Sequence, residues 1–163
     1  MVALMHLVHE TVMQAPLDAI FSLAADVERW PQLHPAYRWC RILERRPGGI
    51  TFEMGGRIRG WPARWTAVQE QFPDDGRIVF RHIRGITTGM VVRWHLQPEP
   101  QGVRVQLVHD LVLRWPVIGR LASDLIVGPL FIDWIASKTL ASVKREVEQW
   151  VSTGESSSQA SAR

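Results

Sequence analysis

Six successive segments between Tyr37 and Leu113 place apolar residues at every second position. This period is typical of half-buried β-strands, and the short Pro-, Gly- and Asp-containing stretches between the segments predict hairpin turns. Strands joined by hairpins pair antiparallel. Together with an earlier alternating segment, they predict seven strands, at 5–13, 39–46, 50–56, 61–72, 77–84, 90–97 and 103–113.

Helical spacing occurs on both sides of these hairpins. Apolar residues three and four apart predict short helices at 17–25 and 27–33, and Pro16 suits the start of the first one. A stripe from Ile132 to Trp150 predicts a long amphipathic helix at 129–151, after a further helical segment at 117–127. The long helix has to bury its stripe against the sheet. We therefore predict an α+β fold in which a curved seven-stranded antiparallel sheet wraps around this C-terminal helix.

Composition and charge limit the classes of function. Of 163 residues, 46% are hydrophobic and 21% are charged, as in ordinary soluble domains. We predict a single domain at 1–151 and a disordered Ser-rich tail at 152–163. The net charge is only +3 and basic residues are interleaved with acidic ones, so no nucleic-acid partner is predicted. A single cysteine, Cys40, and an N-terminus without a signal-peptide pattern favour the cytoplasm.

The most apolar stretch of the chain, 115–135, is interrupted by Arg120, Asp124 and Asp133. A membrane-spanning helix needs about 20 consecutive apolar residues, so no stable membrane insertion is predicted. The stretch can instead belong to the core or form an apolar surface around 121–131. Such a surface suits a transient membrane contact or the interface of a homodimer, and the sequence leaves both open beside a monomer.

Several short strings resemble one known superfamily. They are the Ala-Asp-Val-Glu-Arg-Trp-Pro string at 25–31, the Arg-Trp-Thr string at 64–66, the Arg-Ile-Val-Phe-Arg string at 77–81 and the His-Asp pair at 109–110. With the order of elements, they resemble the START/Bet v 1-like (SRPBCC) superfamily over about 8–150, and within it the polyketide cyclase/dehydrase, or aromatase/cyclase-like, group. The resemblance implies a helix-grip fold with a cavity between the concave face of the sheet and the long helix.

Three residues are predicted to carry chemistry. His109 alternates with Leu107 and Leu111, which places its imidazole on the inner face, where it could exchange a proton with a bound molecule. The resemblance implies an Arg four positions after the mid-strand Trp65, and this sequence has Gln69 there, an uncharged hydrogen-bond donor. Gln69 and Tyr37 are predicted to hydrogen-bond the carbonyl groups of the ligand.

An unusual number of large rings accompanies these residues, since the chain has eight Trp. They can line a cavity for a flat ligand or simply fill the core. The residues predicted to bind a ligand are Trp30, Trp39, Trp65, Phe80, His82, Met90, Trp94, Phe131, Trp134 and Ile135. The histidines show no close-spaced pair of metal ligands, so neither a metal site nor a cofactor is predicted.

Three functions remain open at this point. The resemblance implies a protein that binds a hydrophobic, aromatic or polyketide-like small molecule, and the enzymatic form would guide cyclisation or dehydration of a polyketide. A second form would be a carrier or chaperone for a lipid or a quinone, without catalysis. The third is an interaction module whose apolar segment forms a dimer interface.

Overall fold

A computed structural model describes residues 3–113 and 129–160. The strands are β1 (Ala3–Met13), β2 (Tyr37–Arg46), β3 (Gly49–Ile58), β4 (Trp61–Phe72), β5 (Arg77–Gly85), β6 (Val91–Glu99) and β7 (Gly102–Leu113). The α-helices are α1 (Leu17–Ala25), α2 (Trp30–Leu33) and α3 (Pro129–Ala160), and short 3-10 helices cover Val27–Arg29 and Pro73–Asp75. The predicted second helix is therefore a 3-10 turn that continues into one turn of α-helix.

The seven strands form one sheet in the order β1-β7-β6-β5-β4-β3-β2, and every neighbouring pair is antiparallel. Consecutive strands from β2 to β7 pair through hairpins, as their spacing predicts. The helices between β1 and β2 carry the chain from one edge of the sheet to the other. The fold class predicted from the sequence is confirmed.

The long helix α3 packs its apolar stripe onto the concave face of the sheet. Ile132, Ala136, Val143 and Val147 are each at most 2% exposed, so this stripe belongs to the core. The helix runs on to Ala160, whereas we predicted its end near residue 151 and disorder beyond it. The predicted helical segment at 117–127 lies outside the described residues. No helix in the described ranges is both long and apolar enough to cross a membrane.

A bulge in β2 changes which face its side chains occupy. Tyr37 pairs with Gly56 and Trp39 pairs with Gly55, so two steps along β2 match one step along β3. Residues that pair directly across antiparallel strands share a face. Tyr37 therefore lies on the inner face and Trp39 on the outer face, although simple alternation would place both on one side.

Candidate functional site

A cavity lies between the concave face of the sheet and α3. The space in which the centre of a water molecule fits has a volume of about 70 Å³, which is enough for several waters. The residues that line it are Trp30, Tyr37, Phe52, Ile58, Ala63, Trp65, Phe80, His82, Ile86, Thr87, Met90, Val92, Trp94, Leu107, His109, Phe131, Ile132, Ile135, Ala136 and Thr139. None of the described residues in this lining is Asp, Glu, Lys or Arg, so this part of the wall presents no formal charge to a ligand.

Aromatic rings dominate the wall of this cavity. The ring of Trp30 lies 5.2 Å from that of Tyr37, 5.7 Å from that of Phe80 and 6.3 Å from that of Trp94, measured between centroids. The ring planes are tilted by 47–52° to one another, and the separations fall within the 4.5–7 Å range over which aromatic rings pair. A wall of this composition offers π-faces to a flat ligand.

His109 lies on β7 with its side chain in this wall, and the residue is only 6% exposed. Burial, with smaller contributions from His82 and His9, lowers its pKa from 6.5 to about 3. Its Nδ1 atom is buried and has no hydrogen-bond partner among the described residues. The imidazole is therefore neutral at pH 7, with one ring nitrogen free for a bound molecule.

Tyr37 is held by a chain of hydrogen bonds to α3. The hydroxyl of Thr139 donates to the carbonyl of Ile135 over 2.7 Å, so the Thr139 oxygen is left to accept from the Tyr37 hydroxyl, 2.5 Å away. Burial raises the pKa of Tyr37, which stays a neutral phenol. Because its proton is already used, Tyr37 can accept a hydrogen bond from a ligand more readily than it can donate one.

His82 stands next to Trp65 on the neighbouring strand. The two rings are stacked, with centroids 6.1 Å apart and planes 17° apart, and His82 Nδ1 is 2.6 Å from the hydroxyl of Thr87. Burial lowers the pKa of His82 to about 4. A second neutral imidazole thus borders the cavity.

Two indole N–H groups add polarity without charge. The Nε1 atoms of Trp30 and Trp94 are buried and have no hydrogen-bond acceptor in the described part of the chain. A buried donor without a partner costs roughly 1–3 kcal/mol. An oxygen atom of a bound ligand that reached either N–H would remove that cost.

Three of the predicted site residues do not line the cavity. Gln69 shares the inner face with Trp65 and is 0% exposed, but its amide donates to the carbonyl of Ala25 over 2.7 Å. Its amide oxygen accepts from the side chain of Gln71 over 2.7 Å. Gln69 therefore does not reach the cavity, because the end of α1 covers that part of the inner face.

Trp39 and Trp134 are the other two predicted site residues that do not line the cavity. The bulge turns Trp39 outward, where it lies over Gly55 and under the guanidinium of Arg64, and it is 41% exposed. Trp134 falls outside the cavity-facing stripe of α3, since each residue turns a helix by about 100°. Its ring contacts that of His34, with centroids 5.8 Å apart.

The remaining predicted residues lie together around the cavity. Tyr37, His109, Trp30, Trp65, Phe80, His82, Met90, Trp94, Phe131 and Ile135 all line the cavity. Their roles in binding or catalysis stay predictions.

The lining residues we did not predict divide into two kinds. Phe52, Val92 and Leu107 share a face with predicted residues, so alternation could have found them, whereas Ile86 and Thr87 lie in a turn that carries no such signal.

No group of three His, Cys, Asp or Glu side chains within the described ranges is arranged to hold a metal ion. Cys40 is partly buried and forms no disulfide. Burial, and to a smaller extent Glu28 and Asp26, raises the pKa of its thiol to about 12. It is therefore a protonated, unreactive thiol at neutral pH.

The fold and the cavity define a helix-grip protein whose described cavity lining is aromatic and uncharged. Residues 13–126 match the model of the family described as polyketide cyclase / dehydrase and lipid transport. The matched range covers more than half of the chain, so the chain belongs to this family.

Relatives and solved structures agree with this membership. A provisionally named polyketide cyclase of Streptomyces cyaneus is 28% identical over 113 residues, which cover 67% of this chain and 74% of that protein. The actinorhodin polyketide synthase bifunctional cyclase/dehydratase of Streptomyces coelicolor is 31% identical over 63% of this chain but only 33% of its own length.

The fold is similar to that of a Streptomyces protein, the Zhui aromatase/cyclase, with a TM-score of 0.78, 21% identity, and coverage of 91% of this chain and 96% of that one. A START superfamily protein from Mycobacterium smegmatis has a TM-score of 0.69 and 20% identity, over 90% of this chain and 98% of that one. At these identities the likeness shows a common fold.

Proposed function

We propose that the chain binds a neutral, flat, polyketide-like aromatic molecule in its cavity and promotes cyclisation or dehydration with His109 as the proton-transfer group. The observation that carries this proposal is the lining, whose described residues combine aromatic walls with neutral polar groups and no formal charge. Moving a carboxylate from water into such a site costs several kcal/mol without a partner, so the cavity selects neutral ligands.

The chemistry proposed for His109 follows from its neutral state. Its free nitrogen can accept a proton from a carbon next to a ligand carbonyl, and the imidazolium can then return that proton to a departing hydroxyl group. A pKa near 3 makes the imidazole a weak base in the empty cavity. The developing enolate would raise this pKa, because an opposite charge nearby stabilises the imidazolium.

A carrier without catalysis is the second candidate. The low pKa of His109 favours it, since an effective general base has a pKa near the working pH. Family membership is compatible with both candidates, because the family description includes lipid transport. Location in the cytoplasm and a monomeric or homodimeric state stay predictions from the sequence.

One pair of probes tests binding and catalysis separately. 2-Tetralone is a neutral bicyclic ketone with exchangeable protons next to its carbonyl, and tetrahydro-2-naphthoate has the same ring frame with a carboxylate. We expect 2-tetralone to quench the fluorescence of the cavity tryptophans, and the carboxylate to bind roughly a hundredfold more weakly or worse. Equal or tighter binding of the carboxylate would contradict the proposed selectivity.

Catalysis is then measured as the rate at which deuterium replaces hydrogen at the carbon beside the ketone, with NMR used to monitor the exchange in D₂O. Positioned proton transfer contributes typically ~10²–10⁴-fold, so we expect exchange to be clearly faster with the protein than in buffer. His109→Gln should abolish the acceleration while fluorescence quenching by 2-tetralone persists. Binding without acceleration in the native protein would instead establish the carrier.

A further inference from the structure

Three segments surround one end of the cavity. The β3–β4 hairpin, closed by the pair Ile58 and Trp61, contributes Ile58 and Ala63 to the lining. The β5–β6 turn contributes Ile86 and Thr87, and it lies at the same end of the sheet because Gly85 pairs with Trp65 on β4. The third segment is the first turn of α3. Ile86 is 39% exposed and also lines the cavity, so the cavity reaches the surface here.

Large apolar side chains on these segments face solvent. Trp61, at the hairpin, is 63% exposed, and Leu130, in the first turn of α3, is 61% exposed. These are the largest exposures among the big apolar residues of the described ranges, and both lie beside residues of the cavity lining. We call the cavity rim the surface formed by these segments. It comprises three apolar residues, Trp61, Ile86 and Leu130, and three arginines, Arg57, Arg59 and Arg84.

The charge on this rim is positive, and no described acidic residue pairs with it. Arg57, Arg59 and Arg84 are exposed, and none of their guanidinium groups takes part in an ion pair or hydrogen bond with another described residue. The stretches 54–64 and 83–90 contain no Asp or Glu. The other described arginines of the sheet, apart from Arg38, are in ion pairs, as Arg104 is with Glu10 and Glu99.

We infer that the cavity rim docks on an anionic lipid surface, with Trp61, Ile86 and Leu130 in the lipid interface and Arg57, Arg59 and Arg84 at the anionic headgroups. Tryptophan prefers the interface between water and lipid, and basic side chains add attraction to anionic lipids. A nucleic acid would use the positive charge but would leave the aliphatic side chains in water. The inference does not depend on whether the cavity catalyses a reaction.

Docking in this way would place the end of the cavity against the bilayer. A hydrophobic ligand could then pass between the lipid and the aromatic wall without crossing water, which favours transfer because exposing apolar surface to water is costly. The predicted membrane contact at 121–131 lies mostly outside the described residues. We instead place the membrane contact mainly at the β3–β4 and β5–β6 turns of the cavity rim.

The test is flotation of the full chain with phosphatidylcholine vesicles that do or do not contain about 30% phosphatidylglycerol. We expect binding only to the anionic vesicles, and loss of binding in about 0.5 M NaCl because salt screens exposed charges. Since each basic residue near an anionic surface contributes about fivefold, Arg57→Gln with Arg59→Gln should weaken binding about 25-fold. Trp61→Ala should weaken it about tenfold.

Matched controls lie at the opposite end of the molecule. Arg46 ends β2 beside the β2–β3 turn, and Trp150 is about 30 Å along α3 from Leu130. Arg46→Gln and Trp150→Ala should leave vesicle binding unchanged. Circular dichroism checks that each variant is folded, which we expect because the substituted side chains are exposed.

Three results would overturn the inference. The first is failure of the native chain to bind anionic vesicles at low salt, and the second is binding that the rim variants do not weaken more than the controls. Binding that requires the arginines but is indifferent to Trp61→Ala would also overturn it. That pattern would identify a purely electrostatic site for an acidic partner, such as an acidic protein.

Discussion

Neutral buried histidines should make the protein lose stability as the pH falls. His109 has a pKa of about 3 in the folded chain, against 6.5 when it is exposed after unfolding. Between these values the unfolded chain binds a proton that the folded chain does not. The free energy of unfolding therefore rises with pH in this window, and the contribution of His109 is complete above pH 6.5 and is lost as the pH falls towards 3.

The size of the effect follows from the two pKa values. Lowering the pH from about 7.5 to about 5 should remove about 2 kcal/mol of unfolding free energy through His109 alone. His82, with a folded pKa of about 4, should remove a similar or smaller amount, since its side chain is partly exposed. His109→Gln cannot be protonated, so it should shrink the difference in stability between the two pH values by about 2 kcal/mol.

Urea unfolding at both pH values, followed by far-UV circular dichroism, measures this difference. Any cost of packing a glutamine amide in the cavity is present at both pH values and cancels. His82→Gln serves as a parallel variant and should shrink the difference by up to the same amount. If His109→Gln showed the same pH dependence as the native chain, the imidazole would not be held neutral by burial, and its assignment as a neutral cavity residue would fail.

Three further outcomes test other buried groups. Gln69→Leu should cost about 1–3 kcal/mol in urea unfolding, because the carbonyl of Ala25 loses its donor, yet 2-tetralone quenching should not change. Tyr37→Phe should cost about 1 kcal/mol of stability through the lost bond to Thr139, and a gain in stability would contradict the hydrogen-bond chain. Cys40 should react with iodoacetamide at pH 8 roughly a thousandfold more slowly than free cysteine, and rapid labelling would refute the raised thiol pKa.

Much of the fold could be predicted because its periodicities are regular. The bounds predicted for α1 and β4 match the structure, since a proline starts one element and the other ends at a Pro-Asp-Asp-Gly turn. His109 was assigned to the inner face by simple alternation along β7, and it lies there. Where a strand is unbroken, position along the chain alone determines the face of each side chain.

The errors have physical causes that are not visible in local sequence. One additional residue in β2, Arg38, moves Trp39 to the outer face, and no pattern of apolar residues marks that bulge. The partner of Gln69 is a backbone carbonyl 44 positions earlier in the chain, so only the packing of α1 reveals it. The helix extends beyond 151 through residues with no apolar stripe, which sequence periodicity cannot detect.

The position of Gln69 also bears on the kind of reaction the cavity could promote. The amide of Gln69 is engaged at the end of α1, and no described residue of the lining is charged. Among the described residues, a ligand carbonyl would therefore meet neutral donors such as the indole N–H groups of Trp30 and Trp94. Neutral hydrogen bonds are about half as strong as those from a guanidinium, so a localised enolate would be poorly stabilised. This favours steps that deliver an extended aromatic product, in which the charge is spread over the ring system as it forms.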